Sequence, residues 1–312
     1  MSKRTVILAA FGVPLLMMGA GCASMRRAAL DDASTGLAES AALAFAQESD
    51  LQLAAEAMPF ALKTLDMLAL QQPGNRAVLL AAARAYIQYS HAFVEWPLRR
   101  DPPDDWAAQE AGRNRAAQLY LRGSDYAAAA LSVRFPDAPR RLREEGAAFL
   151  ERLPADEAAT LYWWGAGWAA AIAAQPSRLA GLTELPLVEA IMRRALVLNP
   201  SVEDGALHEF FVAFEAGRGA AAGGSLEAAE HHFHEAVARS GQRRASPYVT
   251  MATTVMIQRQ DATGFRRLLE AALALDLQAS PDDRLANTLS RDKAQWYLDR
   301  MDDFFLLTED EP

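Results

Sequence analysis

An all-α fold is what this chain predicts, and three observations predict it. Apolar residues recur three and four apart along most of its length, and alternating runs rich in Val, Ile and Thr are scarce. Turn residues punctuate the chain at helix-length intervals, as in Gln72-Pro73-Gly74-Asn75, Arg100-Asp101-Pro102-Pro103-Asp104, Asn199-Pro200-Ser201 and Gly217-Arg218-Gly219. With 312 residues, 51% apolar composition and one cysteine, the fold must rest on buried apolar surface and not on disulfides.

The first segment differs in kind. Lys3 and Arg4 precede an apolar stretch from Thr5 to Met18, then small Gly19, Ala20 and Gly21, then Cys22. These are the charged start, apolar centre and cleavage site of a signal peptide. The apolar stretch rises only about 21 Å as a helix, short of the about 30 Å core of a bilayer. Cys22, directly after the cut, is expected to carry lipid as in an exported bacterial lipoprotein, although Gly19 stands where that motif usually has Leu. Two or three acyl chains bury dozens of methylenes at about 0.8 kcal/mol each, which makes such an anchor effectively permanent. Asp directly after the lipidated Cys usually marks retention at the inner membrane of Gram-negative bacteria. Ala23 and Ser24 follow here, which predicts the periplasmic side of the outer membrane. The expected organisation is a signal peptide over 1–21, a lipid anchor and tether over 22–34, and a single helical domain over 35–312.

Removing residues 1–21 takes away Lys3 and Arg4 and no acid, leaving 29 basic against 40 acidic residues, a net charge of −11. So acidic a chain does not suit nucleic acid. Helices are predicted over 35–48, 51–71, 76–96, 104–122, 124–134, 139–152, 156–174, 186–198, 203–216, 225–239, 246–259, 262–275 and 282–299. Asp104 and Ser225 are the expected N-caps of their helices. The stretches 98–104 and 217–225 are expected as loops around an opening.

A degenerate repeat runs through these helices. Ala61, Leu65 and Leu68 followed by Pro73 are spaced as Val188, Met192 and Ala195 followed by Pro200, and Ala229-Phe233-Ala236 and Phe265-Leu269-Ala272 keep the four-and-three part. This resembles the second helix of a tetratricopeptide repeat, where a small residue admits a neighbouring helix and a large one fills the gap. Stacked hairpins of this kind form a curved wall, and the long segment between the first two copies is expected to cross its concave side.

Aromatic residues concentrate in that segment. Tyr86, Tyr89 and Phe93 share one helical face, Tyr162, Trp163, Trp164 and Trp168 are interleaved with Gly165 and Gly167, and His208, Phe210, Phe211 and Phe214 follow on another helix. Such residues either fill core or line an apolar cavity or tunnel between helices, and composition is compatible with both. The glycines admit neighbouring backbone or leave room for something else. Catalytic signals are weak, with no nucleophile elbow, phosphate loop or dinucleotide fingerprint. His231 and His234 share a helical face, yet no His-Glu-x-x-His pattern or second cysteine supports a metal, so neither metal nor cofactor is expected.

Asn75-Arg76-Ala77-Val78-Leu79-Leu80, Ala85-Tyr86-Ile87-Gln88-Tyr89-Ser90-His91-Ala92-Phe93-Val94-Glu95, Leu161-Tyr162-Trp163-Trp164-Gly165, Gly205-Ala206-Leu207-His208-Glu209-Phe210, Pro247-Tyr248-Val249-Thr250 and Arg291-Asp292-Lys293-Ala294 occur in that order. Together they resemble the TatT-like periplasmic lipoproteins, the T component associated with tripartite ATP-independent periplasmic (TRAP) transporters. The resemblance implies a cryptic tetratricopeptide-like protomer with a pore or tunnel, able to form a homotrimer and to dock a periplasmic substrate-binding protein. It also implies handling of a hydrophobic ligand without chemistry.

The function expected is therefore a non-catalytic, outer-membrane-anchored lipoprotein that binds or relays a fatty acid, sterol or similar lipid. The candidate lining is Tyr89, Phe93, Tyr162, Trp163, Trp168, His208, Phe211 and Tyr248, with the His and Tyr tips holding a polar end of the ligand. The competing expectation is a tetratricopeptide-like scaffold for protein assembly, in which all these aromatics are core. A charged concave surface favours the scaffold and an apolar tunnel favours lipid transfer.

Overall fold

The computed structural model describes residues 13–175, 181 and 183–306, with side chains from residue 28 onward. Among these residues every regular element is helical, so the fold is all-α. The expected signal peptide lies largely outside the described residues, as does the side chain of Cys22.

Helix α1 (Val13–Ala46) runs unbroken through the stretch expected as a tether, so helical structure begins well before residue 35. Its alanine content explains this, since Ala loses least on entering a helix. Asp50 caps α2 (Leu51–Gln71) by accepting from the amides of Gln52 and Leu53, and Asn75 caps α3 (Arg76–Ser90) through the amide of Val78. The expected 76–96 helix then widens into a π turn over His91–Glu95 before α4 (Trp96–Arg100), so residues 98–100 are helical and the loop opens at Asp101.

Helix α5 (Trp106–Arg134) is capped by Asp105, not Asp104, and joins two predicted helices into one. The expected break at Gly123 is absent because this glycine serves packing. A Cβ there would lie 2.6 Å from Ile87 Cγ1 and 2.9 Å from the Ala83 carbonyl. Conversely the predicted 139–152 helix is two, α6 (Ala138–Glu145) and α7 (Ala147–Glu151), parted at Gly146 with φ +56°. The remaining helices, close to expectation, are α8 (Ala158–Ala174), α9 (Leu185–Leu198), α10 (Ala206–Gly217), α11 (Leu226–Arg239) with its Ser225 cap, and α12 (Ser246–Met251). A second π turn, Ala252–Met256, leads from α12 into α13 (Ile257–Arg259), before α14 (Ala262–Ala274) and α15 (Arg284–Asp299).

Packing follows chain order. Helix α3 lies between α2 and α5, α5 on α8, α8 on α9, α10 on α11, α11 on α12, and α14 between α12 and α15. The order then closes, because α1 touches α2, α3 and α15. Gln47 donates to Asp282 at 2.8 Å, and Arg284 donates to the Gln47 carbonyl at 3.0 Å, which ties the two ends of the chain together. The apolar core forms two main bodies, one built mainly from α2 to α10 and one from Trp96 and α10 to α15. Adjacent residues of α10, Phe211 and Val212, belong one to each.

Three of the four repeat-like triplets are fully or nearly buried, namely Val188-Met192-Ala195, Ala229-Phe233-Ala236 and Phe265-Leu269-Ala272. The copy on α2 differs, since Met58, Leu62, Asp66 and Ala69 turn inward there while Ala61, Leu65 and Leu68 are only half-buried. The reason is Asp66, which gathers Lys63, Arg122 and the hydroxyls of Tyr86 and Tyr126 at 2.7 to 3.0 Å and so sets which face of α2 meets α3 and α5. Burial opposes ionisation of Asp66, but the hydrogen bonds from Lys63, Tyr126 and Tyr86 outweigh it and hold its carboxyl below the usual range. Glu157, fully buried between Arg76 and Arg134, and Asp283, held by Arg243 and Arg244, are similar knots.

Candidate functional site

The π turn defines the most unusual site in the described residues. A single wide turn shifts the helix face at its exit, and such turns occur frequently where function demands a side chain off the regular register. Here it presents His91 and Glu95, and α4 adds Arg99 four residues further on. The Tyr120 hydroxyl from α5 donates to Glu95. His91 Nδ1 and Arg99 each lie 3.6 Å from the same carboxylate. From α15, Lys293 Nζ donates to His91 Nε2 at 2.7 Å and sits 5.3 Å above the Trp96 ring. The Trp96 indole N–H is committed to Asp292 at 2.9 Å. Glu209 on α10 accepts from Ser246 and Thr250, each at 2.7 Å, and its charge reaches His91, Tyr162 and Lys293.

These charges set one another's protonation. Burial opposes ionisation of Glu95, but the hydrogen bonds from His91 and the Tyr120 hydroxyl hold the carboxyl at about 2. The Lys293 ammonium, then burial, pushes His91 below its usual value, so the ring is neutral and can accept from Lys293. Burial brings Lys293 itself down to about 8 against the pull of Glu95. Burial, then Glu95, raises the Tyr120 hydroxyl, and burial followed by Glu203 and Glu209 raises that of Tyr162.

His91 keeps 54% of its side chain open to solvent, and Lys293 and Tyr162 are half-buried.

The aromatic candidates divide into groups. Tyr89 and Phe93 pack on each other at 5.9 Å beside the π turn, Phe93 half-buried. Tyr162 meets Trp163 edge-on at 5.0 Å, and Trp163 donates to Glu203 at 2.9 Å under the Arg84 guanidinium. Trp168 is buried with its N–H on Glu184 and Arg143 over its ring, a setting that uses every part of the side chain structurally. Phe211 has no exposure and stacks on His232 at 5.0 Å. His208 is buried against His232, Nδ1 to Nδ1 at 2.9 Å, and burial with the neighbouring His232 brings it down to about 4. Tyr248 stands in the second core body against Phe233. The structure thus brings Tyr89 and Phe93 to the π turn, while Trp168, Phe211 and Tyr248 sit elsewhere in the packing.

The glycines of α8 are spoken for. A Cβ on Gly165 would meet Met192 Sδ at 2.5 Å and one on Gly167 the Tyr120 carbonyl at 2.9 Å, so they admit neighbours and leave no vacancy. Of the histidines on α11, His232 turns inward and His231 and His234 are exposed. Sequence reasoning missed His91, Glu95, Arg99, Tyr120 and Lys293 as a group. A partial signal existed, since His91, Glu95 and Arg99 are spaced by four along the aromatic helix, whereas Lys293 reads locally as an ordinary solvated lysine.

Among the described residues no helix is long and apolar enough to cross a membrane. The family described as TRAP transporter T-component matches residues 47–305, which spans α2 to the end of the second core body. An uncharacterized protein of Treponema pallidum (strain Nichols) is 33% identical over 266 residues, 84% of this chain and 82% of its own length. The match runs unbroken through the π turn, the aromatic helices and α15, and the chain belongs to the TRAP transporter T-component family.

Proposed function

We propose that this protein is a non-catalytic periplasmic component of a transport system that binds and relays an amphiphilic, largely hydrophobic ligand. What supports the reading is that the π turn carries the half-buried Phe93, packed on Tyr89 at 5.9 Å, within the same five residues as His91 and Glu95, which Lys293 and Tyr120 meet from other helices. The proposed chamber pairs an aromatic wall with a charged end. A helical shell with such an interior shields an alkyl or polycyclic body from water while charged groups hold its head. Tyr162, half-buried, extends the proposed wall. Membership in the family supports a transporter substrate-binding protein as partner, and homotrimer formation belongs to the same proposal.

The proposed anchor is lipid on Cys22, which holds the shell at the periplasmic face of the outer membrane. Lipid extraction and native mass spectrometry of the purified, unlipidated mature chain test the reading, followed by titration with long-chain alcohols, fatty acids and sterols. A retained lipid or saturable binding supports it, and absence of both defeats it.

A scaffold role is the second reading, and one observation favours it. Leu53, Phe60 and Met67 are 52%, 78% and 54% exposed and spaced by seven along α2, a stripe suited to a partner helix. Failure of all ligands to bind shifts the weight to that stripe.

A further inference from the structure

The exposed residues of α2 form more than a stripe spaced by seven. Exposed Ala57 and half-buried Thr64 fall between Leu53, Phe60 and Met67, so residues 53, 57, 60, 64 and 67 alternate steps of four and three along the outer face. That is the spacing of a coiled-coil seam, in which each seam residue drops between residues of a facing helix. The large Phe60 stands between the small Ala57 and Thr64, which leaves room beside it for a second ring. Glu56 and Lys63 flank the seam on one side, both exposed and themselves seven apart. Among the described residues Glu56 pairs with no cation and receives the side-chain amide of Gln52 at 2.8 Å. Lys63 donates to Asp66 at 2.8 Å and keeps 65% of its side chain open, so donors remain for a second acid.

The charges decide what fits this face. In an antiparallel pair related by a two-fold axis through Phe60, Leu53 meets Met67, Ala57 meets Thr64 and Phe60 meets its own copy. The same register sets Glu56 of one copy beside Lys63 of the other, twice over. A parallel pair brings Glu56 and Lys63 against the opposite flank, where Ala61 and Leu68 stand, and gains no ion pair. From this register we infer that the outer face of α2 is a self-complementary, two-fold contact with a second copy of this chain. Three large side chains from each copy make a contact smaller than the about 1,200 Å² of a standard stable interface, so the pairing is weak and reversible in solution. An anchor on Cys22, as proposed above, raises the effective concentration of copies that meet this way. The two-fold contact is distinct from three-fold association, which repeats an unlike pair of surfaces, and it requires no bound ligand.

Cys22→Ser leaves the unlipidated mature chain without a thiol, so single cysteines placed on α2 report the register. Chains carrying Leu53→Cys and Met67→Cys are mixed and treated with a short bis-maleimide. The mixture should cross-link about tenfold faster than either variant alone, because like positions lie roughly 21 Å apart along the axis in the antiparallel register. Glu56→Lys or Lys63→Glu in both chains should slow the linking about threefold, and the two exchanges together should restore it. Should Lys63→Glu disturb Asp66 and the fold by circular dichroism, Glu56→Lys carries the charge test alone. Phe60→Asp should abolish the linking and, at so exposed a position, leave the circular dichroism spectrum unchanged. Linking of Leu53→Cys to itself as fast as to Met67→Cys is chance collision and overturns the inference, as does linking indifferent to Glu56→Lys. No linking in the mixture, with a different protein bound on this face or with none, overturns it as well.

Discussion

Lys293 and His91 lie 202 positions apart in sequence and meet across 2.7 Å, ammonium donating to imidazole. That contact exists because the last long helix returns to the first third of the chain, and it makes the protonation of one group depend on the other.

Replacing Lys293 by Met removes the largest influence holding His91 down. The midpoint of His91, read from its ring proton shifts by NMR, should therefore rise toward or beyond the usual imidazole value near 6.5. A midpoint unchanged by the substitution contradicts the coupling.

Asp66→Asn should cost about 2 to 4 kcal/mol in denaturant unfolding at pH 7, since it leaves Arg122 and two buried tyrosine hydroxyls facing a poorer acceptor. The pH dependence has a definite sign. A carboxyl held below its ordinary value of 3.8 stabilises the fold fully above that value, and the contribution is lost as pH falls through the lower folded value. The gap between Asp66→Asn and the parent should thus close in acid, and a gap that widens there refutes the assignment.

Gly123→Ala places a methyl against a backbone carbonyl and the stem of Ile87, with α3 and α5 in contact. A loss of about 1 to 3 kcal/mol is expected from overpacking. Gly74→Ala, with nothing within 4 Å of its Cβ, is the matched control and should be close to neutral. Thermal melts of both variants separate close packing from glycine entropy, and equal effects speak against the packing role.

Phe93→Asp and Trp168→Asp should part ways. Phe93 is half-buried at the π turn, so its variant should fold and lose decanol affinity. Trp168 is buried and engaged with Glu184, so its variant should lose about 3 kcal/mol or more of stability. Global unfolding of Phe93→Asp in circular dichroism assigns that residue to core instead of wall.

Cys22→Ser in the full chain should block lipid attachment and leave an unprocessed precursor, as globomycin should for the unchanged chain. Metabolic labelling with a palmitate analogue reads this directly, and normal processing of the variant excludes the anchor.

Helix positions were largely legible because they depend on local chemistry. Asp50, Asn75 and Ser225 cap as short polar residues do, and the buried triplets of α9, α11 and α14 follow the helical period. Departures had non-local causes. Gly123 reads as a helix end but is helical because Ile87 and Ala83 need the space, and Gly146 breaks a helix through its positive φ. Aromatic stripes mark buried faces, and Phe211 and Trp168 are engaged in packing there, since a stripe tells that a face is buried and not against what.

By itself, then, the sequence determined that the chain is helical, where most of its helices start and stop, and which family it joins, because propensity, capping and motif order are properties of neighbouring residues. Only the tertiary structure decided that Lys293 faces His91, that Glu95 is engaged by Tyr120, and that Asp66 gathers Arg122, Tyr86 and Tyr126. Periodicity says which way a side chain points from its own helix. The closure of α1 and α15 on the rest of the chain says what it meets there.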